Sequence, residues 1–165
     1  MHQGPLRQRS GLGEHADPLP AVTGEPGAVG EITALIHEYA FRLDAGDLDG
    51  VAALFEHAEL GSTRHQRRLR GTAEARTNYD AVIIYEDGTP QTQHQITNVT
   101  VQVDGSTATA RSSFTVFQVT GQGLHPILAG DYLDRFEQLD RVWRFTERVF
   151  DPRLFGDLSR HMKHT

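Results

Sequence analysis

Cysteine is absent from the 165 residues, and that absence removes disulfides, thiolate nucleophiles, Cys-ligated zinc and iron–sulfur clusters together. Also missing is any run near the roughly 18 apolar residues that a membrane-spanning helix requires. The first residues hold no apolar core of the secretory type. The sequon Asn98-Val99-Thr100 is therefore read as accidental, and a cytoplasmic protein with no membrane partner is expected. Positive charge is in short supply: 16 Lys and Arg against 22 Asp and Glu leave a formal net charge of -6. Phosphate backbones need clustered Lys and Arg, so no nucleic-acid partner is expected. One basic run, Arg64-His65-Gln66-Arg67-Arg68-Leu69-Arg70, reads as a solvated edge strand or loop. No Gly-x-Ser-x-Gly elbow, phosphate-binding glycine loop or dinucleotide fingerprint is present.

What remains is an ordinary globular composition, 38% hydrophobic and 23% charged, of a length that suits one domain. Residues 1–28 are crowded with Gly and Pro and lack apolar periodicity, so they read as a flexible leader that cannot bury enough surface to order itself. The domain is expected over 29–153. Ile32, Leu35, Ile36, Tyr39, Ala40 and Leu43 recur at helical spacing, Gly46 offers a left-handed cap, and Asp47 can cap a second helix with Leu48, Val51, Ala52 and Phe55 on its face. A short strand is expected over 58–63 and a third helix over 72–84, opened by Thr72. After Gly88 and Pro90 the period changes: Val99, Val101 and Val103 alternate with polar residues up to Asp104-Gly105, a hairpin signal. Strands are then expected over 107–119, 127–137 and 142–150. Helices followed by a strand meander predict an α+β fold, a strongly curved antiparallel sheet wrapped around N-terminal helices with an internal cavity open at one end. Residues 154–165 form a tail in which Leu154, Phe155 and Leu158, with Phe150 before them, are expected to cover the pocket mouth or to make a subunit contact.

Three stretches carry a family resemblance: Tyr39-Ala40-Phe41-Arg42-Leu43-Asp44-Ala45-Gly46-Asp47, then His94-Gln95-Ile96-Thr97-Asn98, then Gly130-Asp131-Tyr132-Leu133-Asp134-Arg135-Phe136 with Val142-Trp143-Arg144-Phe145 after it. With the order of elements, they resemble the SnoaL-like (nuclear transport factor 2-like) superfamily. Its members include scytalone dehydratase, bile acid 7α-dehydratase, the lindane dehydrochlorinase, ketosteroid isomerase and polyketide cyclases. The resemblance implies a cone-shaped α+β barrel. In the dehydratase-like branch it also implies an Asp and a His facing each other across a cavity, often with a Tyr, and it places these at Asp44, His94 and Tyr39. The chain departs from the dehydrochlorinase before Asp140, where Gln138 and Leu139 stand in place of an arginine, which argues against dehydrohalogenation.

The chemistry of such a set is acid–base. Histidine is the side chain whose ordinary pKa lies near neutrality. An aspartate bonded to its second ring nitrogen sets the tautomer and stabilises the imidazolium. Asp44 would orient His94, His94 would remove a proton, and Tyr39 would donate to a substrate oxygen, without metal or organic cofactor. His125, Asn98 and Trp143 are the candidates for substrate contact. Each residue also has a plainer reading: Asp44 as a helix-end residue, His94 as strand surface, Tyr39 and Trp143 as core. His161 and His164 have i, i+3 spacing in the tail, but no neighbouring carboxylate completes a zinc site there. The expected activity is that of a lyase, a dehydratase acting on a hydrophobic hydroxylated ring compound. An isomerase or cyclase using the same pair, or a non-catalytic binding module, are the alternatives. A homo-oligomer, dimer or trimer, is expected.

Overall fold

The computed structural model describes residues 23–163; residues 1–22 of the expected leader lie outside this range. Helix α1 spans Pro26–Asp44 and buries Ile32, Ile36, Tyr39, Ala40 and Leu43. It starts three residues before Val29 because proline, with its fixed φ and missing N–H, suits the first helical turn. Its end is a Schellman motif: Gly46 N–H donates to Leu43 O and Asp47 N–H to Arg42 O. Gly46 has φ +77° and lies against the Gly88 carbonyl, so a side chain there would be both strained and crowded. Asp47 then caps α2 (Leu48–Ala53), its Oδ1 accepting from Gly50 N–H at 2.9 Å.

Strands β1 (Glu59–Ser62) and β2 (His65–Arg70) form a short hairpin, so the basic run is an edge strand, with Arg68 and Arg70 paired to Glu59. Helix α3 covers only Gly71–Thr77, not the expected 72–84. The β-branched stretch after it is drawn into a tertiary contact instead: Val82 bridges Met162, and Ile83 N–H donates to His161 O at 2.9 Å. Long strands follow: β3 (Thr92–Asp104), β4 (Thr107–Thr120), β5 (Gly123–Leu139) and β6 (Val142–Phe155). Two-residue loops join them at Gly105-Ser106, Gly121-Gln122 and Asp140-Arg141, and Gly105 supplies the positive φ that a tight hairpin needs.

The sheet runs β2-β1-β6-β5-β4-β3. It is antiparallel except where β1 lies parallel to β6. Register shifts interrupt β3–β4 at Thr97/Thr100, β4–β5 at Val116/Phe117, and β5–β6 at Ala129/Gly130 and Arg135/Phe136. Each bulge bends its strand, and together they curl the sheet around α1, which packs against β3 and β6. The inner face of β4 shows the alternation plainly: Ala108, Ala110, Ser112, Phe114, Val116 and Gln118 are all buried. They meet Ile32, Ile36, Tyr39, Val51, Phe55, Tyr132, Phe136 and Phe145 in one core. Among the described residues no helix is long and apolar enough to cross a membrane. Thr23 already pairs with the free edge of β3, its N–H donating to Val101 O and its carbonyl accepting from Val103 N–H.

Candidate functional site

Asp44 is the last residue of α1, where the carbonyl end of the helix makes a negative charge unfavourable. Three donors from the start of β3 offset that cost. Thr92 Oγ1 donates to Asp44 Oδ1 at 2.9 Å and the His94 backbone N–H to Oδ2 at 2.7 Å, while His94 Nδ1 lies 2.6 Å from Oδ1. An ionised carboxylate only accepts, so the ring nitrogen facing it, Nδ1, is the one that donates. The His94 side chain is 5% exposed and that of Asp44 21%. The His94 position pairs with Val116, and Thr92 with Gln118, which puts the histidine on the inner face of the sheet.

Tyr39, five residues before Asp44, is brought to a different cluster. Its ring packs edge-on to Tyr132 and Phe55, and the guanidinium of Arg148 lies 4.3 Å from its centre. Arg148 is fully buried. Its Nε and Nη2 each donate to a different oxygen of Asp134 at 2.7 Å, a bidentate pair across β5 and β6. Tyr132 and Phe145 supply further ring faces at 4.2 and 4.8 Å. Burial pushes the Asp134 carboxyl above its ordinary value, and the charge and hydrogen bonds of Arg148 pull it only part of the way back. Burial also opposes the guanidinium, but Asp134 outweighs this and holds it above its ordinary value. Arg148 Nη1 and the hydroxyls of Tyr79 and Ser112 are buried with no hydrogen-bond partner among the described residues. Burial, then the Tyr39 hydroxyl nearby, raises the Tyr79 phenol well above its usual range. The interior thus offers a hydrogen-bonded Asp–His pair on one side and polar groups around Arg148 on the other.

The structure does not bring the substrate-contact candidates to the pair. Asn98 sits in the β3 bulge with φ +53°, exposed on the outer face. It donates to Ser113 Oγ at 3.4 Å, and Ser113 in turn donates to Asp131. Burial raises the Asp131 carboxyl, but hydrogen bonds from Arg111 and Ser113 and the charges of Arg111 and Arg153 bring it below its ordinary value. His125 is exposed near the Gly121-Gln122 turn. Trp143 is core: it lines a cavity of about 200 Å³ with Leu35 and Leu54, and Leu35 lies ~13 Å before Asp44 along the helix axis at about 1.5 Å per residue. A larger groove of about 460 Å³ opens on the outer face, lined by Thr100, Arg111, Leu133, Arg135, Glu147 and Val149, so it is separated from His94 by the sheet.

Of two further residues near the site, Arg148 has no signal in the sequence, and His161 stands out there only as a candidate metal ligand in the tail. Arg148 is hidden by the β6 bulge, which shifts the inner-face set from Trp143 and Phe145 to Arg148 instead of Glu147. His161 belongs to the segment after β6, which returns across the barrel. Arg160 O accepts from Gln118 Nε2 at 3.0 Å and from Tyr85 Oη at 2.7 Å, and Lys163 N–H donates to Ala81 O at 2.7 Å. No local pattern signals this, since the contacts span more than 40 residues. His164 lies outside the described residues. Among those described, no group of three or more His, Asp or Glu is placed to hold a metal ion.

The family model for the SnoaL-like domain matches residues 27–149. Among solved structures the chain is similar to Rv3472, a protein of unknown function from Mycobacterium tuberculosis, at 26% identity and TM-score 0.64 over 76% of this chain and 72% of that one. It is similar in fold to a candidate scytalone dehydratase from Novosphingobium aromaticivorans, at 19% identity and TM-score 0.64 over 83% and 92% of the two chains. LinA matches at 18% identity and TM-score 0.63 over 81% and 90%. A search of curated protein sequences found no match. With the cone-shaped sheet, the helices inside it and a domain model that spans most of the chain, the protein belongs to the SnoaL-like domain family.

Proposed function

We propose that the protein is a cofactor-independent lyase that dehydrates a hydrophobic, hydroxylated ring compound of the steroid or polyketide kind. The observation that carries this reading is the half-buried Asp44–His94 pair, with Nδ1 of the ring bonded to the carboxylate on the inner face of the sheet. His94 Nε2 accepts a proton from the carbon next to an activating group. The C–H electron pair becomes the new double bond, and the C–O pair leaves with the oxygen. The imidazolium, steadied by Asp44, returns the proton to that oxygen, and water departs. The fold shared with a candidate scytalone dehydratase supports this class of chemistry. The Arg148 cluster suits a substrate oxygen, because Nη1 has a donor to spare while Asp134 neutralises its charge. The protein acts as a homo-oligomer, dimer or trimer, a reading supported by the apolar Leu133 and Val149 between charged residues in the outer groove.

The test is incubation in D₂O with a panel of cyclic β-hydroxyketones, followed by mass spectrometry. Loss of water with turnover is expected, and His94→Ala lowers the rate by about 10²–10⁴. Adding Asp44→Ala then costs much less than Asp44→Ala does alone, because the two act as a unit. Deuterium uptake without loss of water would replace the lyase with an isomerase, and full activity in His94→Ala would end the acid–base reading.

A further inference from the structure

His161 is 7% exposed, and its Nδ1 is buried with no hydrogen-bond partner among the described residues. A polar ring atom left this way has lost its water without compensation, which structures tolerate where a ligand completes the bonding. Its position is well determined by the backbone on either side. Ile83 N–H donates to the His161 carbonyl at 2.9 Å, Lys163 N–H to Ala81 O, and the neighbouring Arg160 carbonyl takes Gln118 Nε2 and Tyr85 Oη. Gln118 is the cross-strand partner of Thr92, the residue whose hydroxyl bonds Asp44. The tail is thus pinned beside the start of β3, next to Thr92 and Asp44, and His161 lies close enough to His94 and Asp44 to feel the charge of both.

We propose that His161 is a substrate-contacting residue of this site, a second imidazole brought in by the C-terminal strap that hydrogen-bonds the hydroxyl oxygen of the ring compound acted on by His94. The inference rests on the reading of Asp44 and His94 as an acid–base pair and adds to it the group that recognises the oxygen. The chemistry divides naturally between the two rings. Burial, then the neighbouring His94, pushes His161 down to about 4, so near neutral pH it is uncharged and does not repel the proton that His94 takes up. His94 has a carboxylate to stabilise its charged form, and His161, without a hydrogen-bonded carboxylate, serves as a neutral donor or acceptor. The C-terminal segment therefore supplies recognition as well as cover.

The experiment uses a matched pair of probes, 2-tetralol and tetralin, which differ only in the hydroxyl group, with the full chain labelled with ¹⁵N in its histidine rings. On adding 2-tetralol, the ring nitrogens of both His94 and His161 shift. His161→Phe weakens 2-tetralol binding roughly threefold to tenfold, the loss of one net hydrogen bond, and leaves tetralin unchanged. His161→Gln, which keeps a donor and an acceptor, stays within about threefold of the parent protein. Slow exchange of the Ile83 amide in each variant checks that the strap is still seated. If His161→Phe binds both probes as the parent does while His94 still responds, the role of His161 is overturned and the acid–base pair stands. If neither ring responds to 2-tetralol in the parent protein, both readings fall.

Discussion

Arg148 uses two of its guanidinium nitrogens on Asp134, and the third is buried in the core with no hydrogen-bond partner among the described residues. A buried ion pair of this kind costs desolvation on both sides, so its removal as a unit is mild while removal of one member is severe. Arg148→Met should destabilise the protein by about 3–5 kcal/mol, because it strands a buried carboxylate. Arg148→Met combined with Asp134→Leu should recover most of that loss. Urea unfolding midpoints decide the matter, and a single variant as stable as the double one would show that the pair is not what positions this part of the interior. At this scale the sequence was partly legible. Asp44 and His94 were found because the residue types and their local motifs are distinctive, and the structure brings them within 2.6 Å. Tyr39 was found as a residue of α1, yet its ring belongs with Arg148 and Tyr132. Its orientation is set by what lies across the cone, and helical spacing alone does not contain that.

Among the elements, the strap over residues 156–163 shows most clearly how tertiary contacts override local preference. The apolar run at Val82 and Ile83 extends a helical pattern in the sequence, but pairing with Met162 and His161 satisfies its backbone outside a helix. The strap also carries a pH dependence. His161 titrates at about 4 in the folded chain against an ordinary value of about 6.5. Between these values the unfolded or detached segment binds more protons than the folded one, so the strap's stability is complete above about 6.5, falls with pH, and levels off below about 4. At ~1.4 kcal/mol per unit the loss approaches about 3 kcal/mol. Burial opposes the charge, His94 repels it, and Asp44 attracts it. Protection factors at Ile83 and Lys163, which remove the intrinsic pH dependence of exchange, should therefore fall as the pH drops through this range, and His161→Gln should flatten the response. An unchanged pH dependence in that variant would locate the effect in another group.

At the level of the whole molecule, the two faces of the curved sheet do different work. The inner face closes on α1 and holds the candidate site, while the outer face exposes Leu133 within its charged groove. Sedimentation at micromolar concentration should show a dimer or trimer, and Leu133→Arg should give a monomer with unchanged far-ultraviolet dichroism. A monomeric parent protein would reject this. The sequence by itself determined the α+β class, the caps at Gly46 and Asp47, the hairpin turns and the residue types of the Asp44–His94 pair, because these rest on short-range spacing and on the conformational range of glycine and aspartate. Only the tertiary structure decided which face each distant residue occupies. A strand's side chains alternate with period 2, so one bulge reverses every position after it. The bulge at Thr97/Thr100 sends Asn98 outward and keeps Val101 in, and the one at Arg135/Phe136 brings Arg148 into the core. Where a bulge falls depends on pairing with the neighbouring strand. The approach of His161 depends on a chain return from the far end of β6, and neither is written in the local pattern.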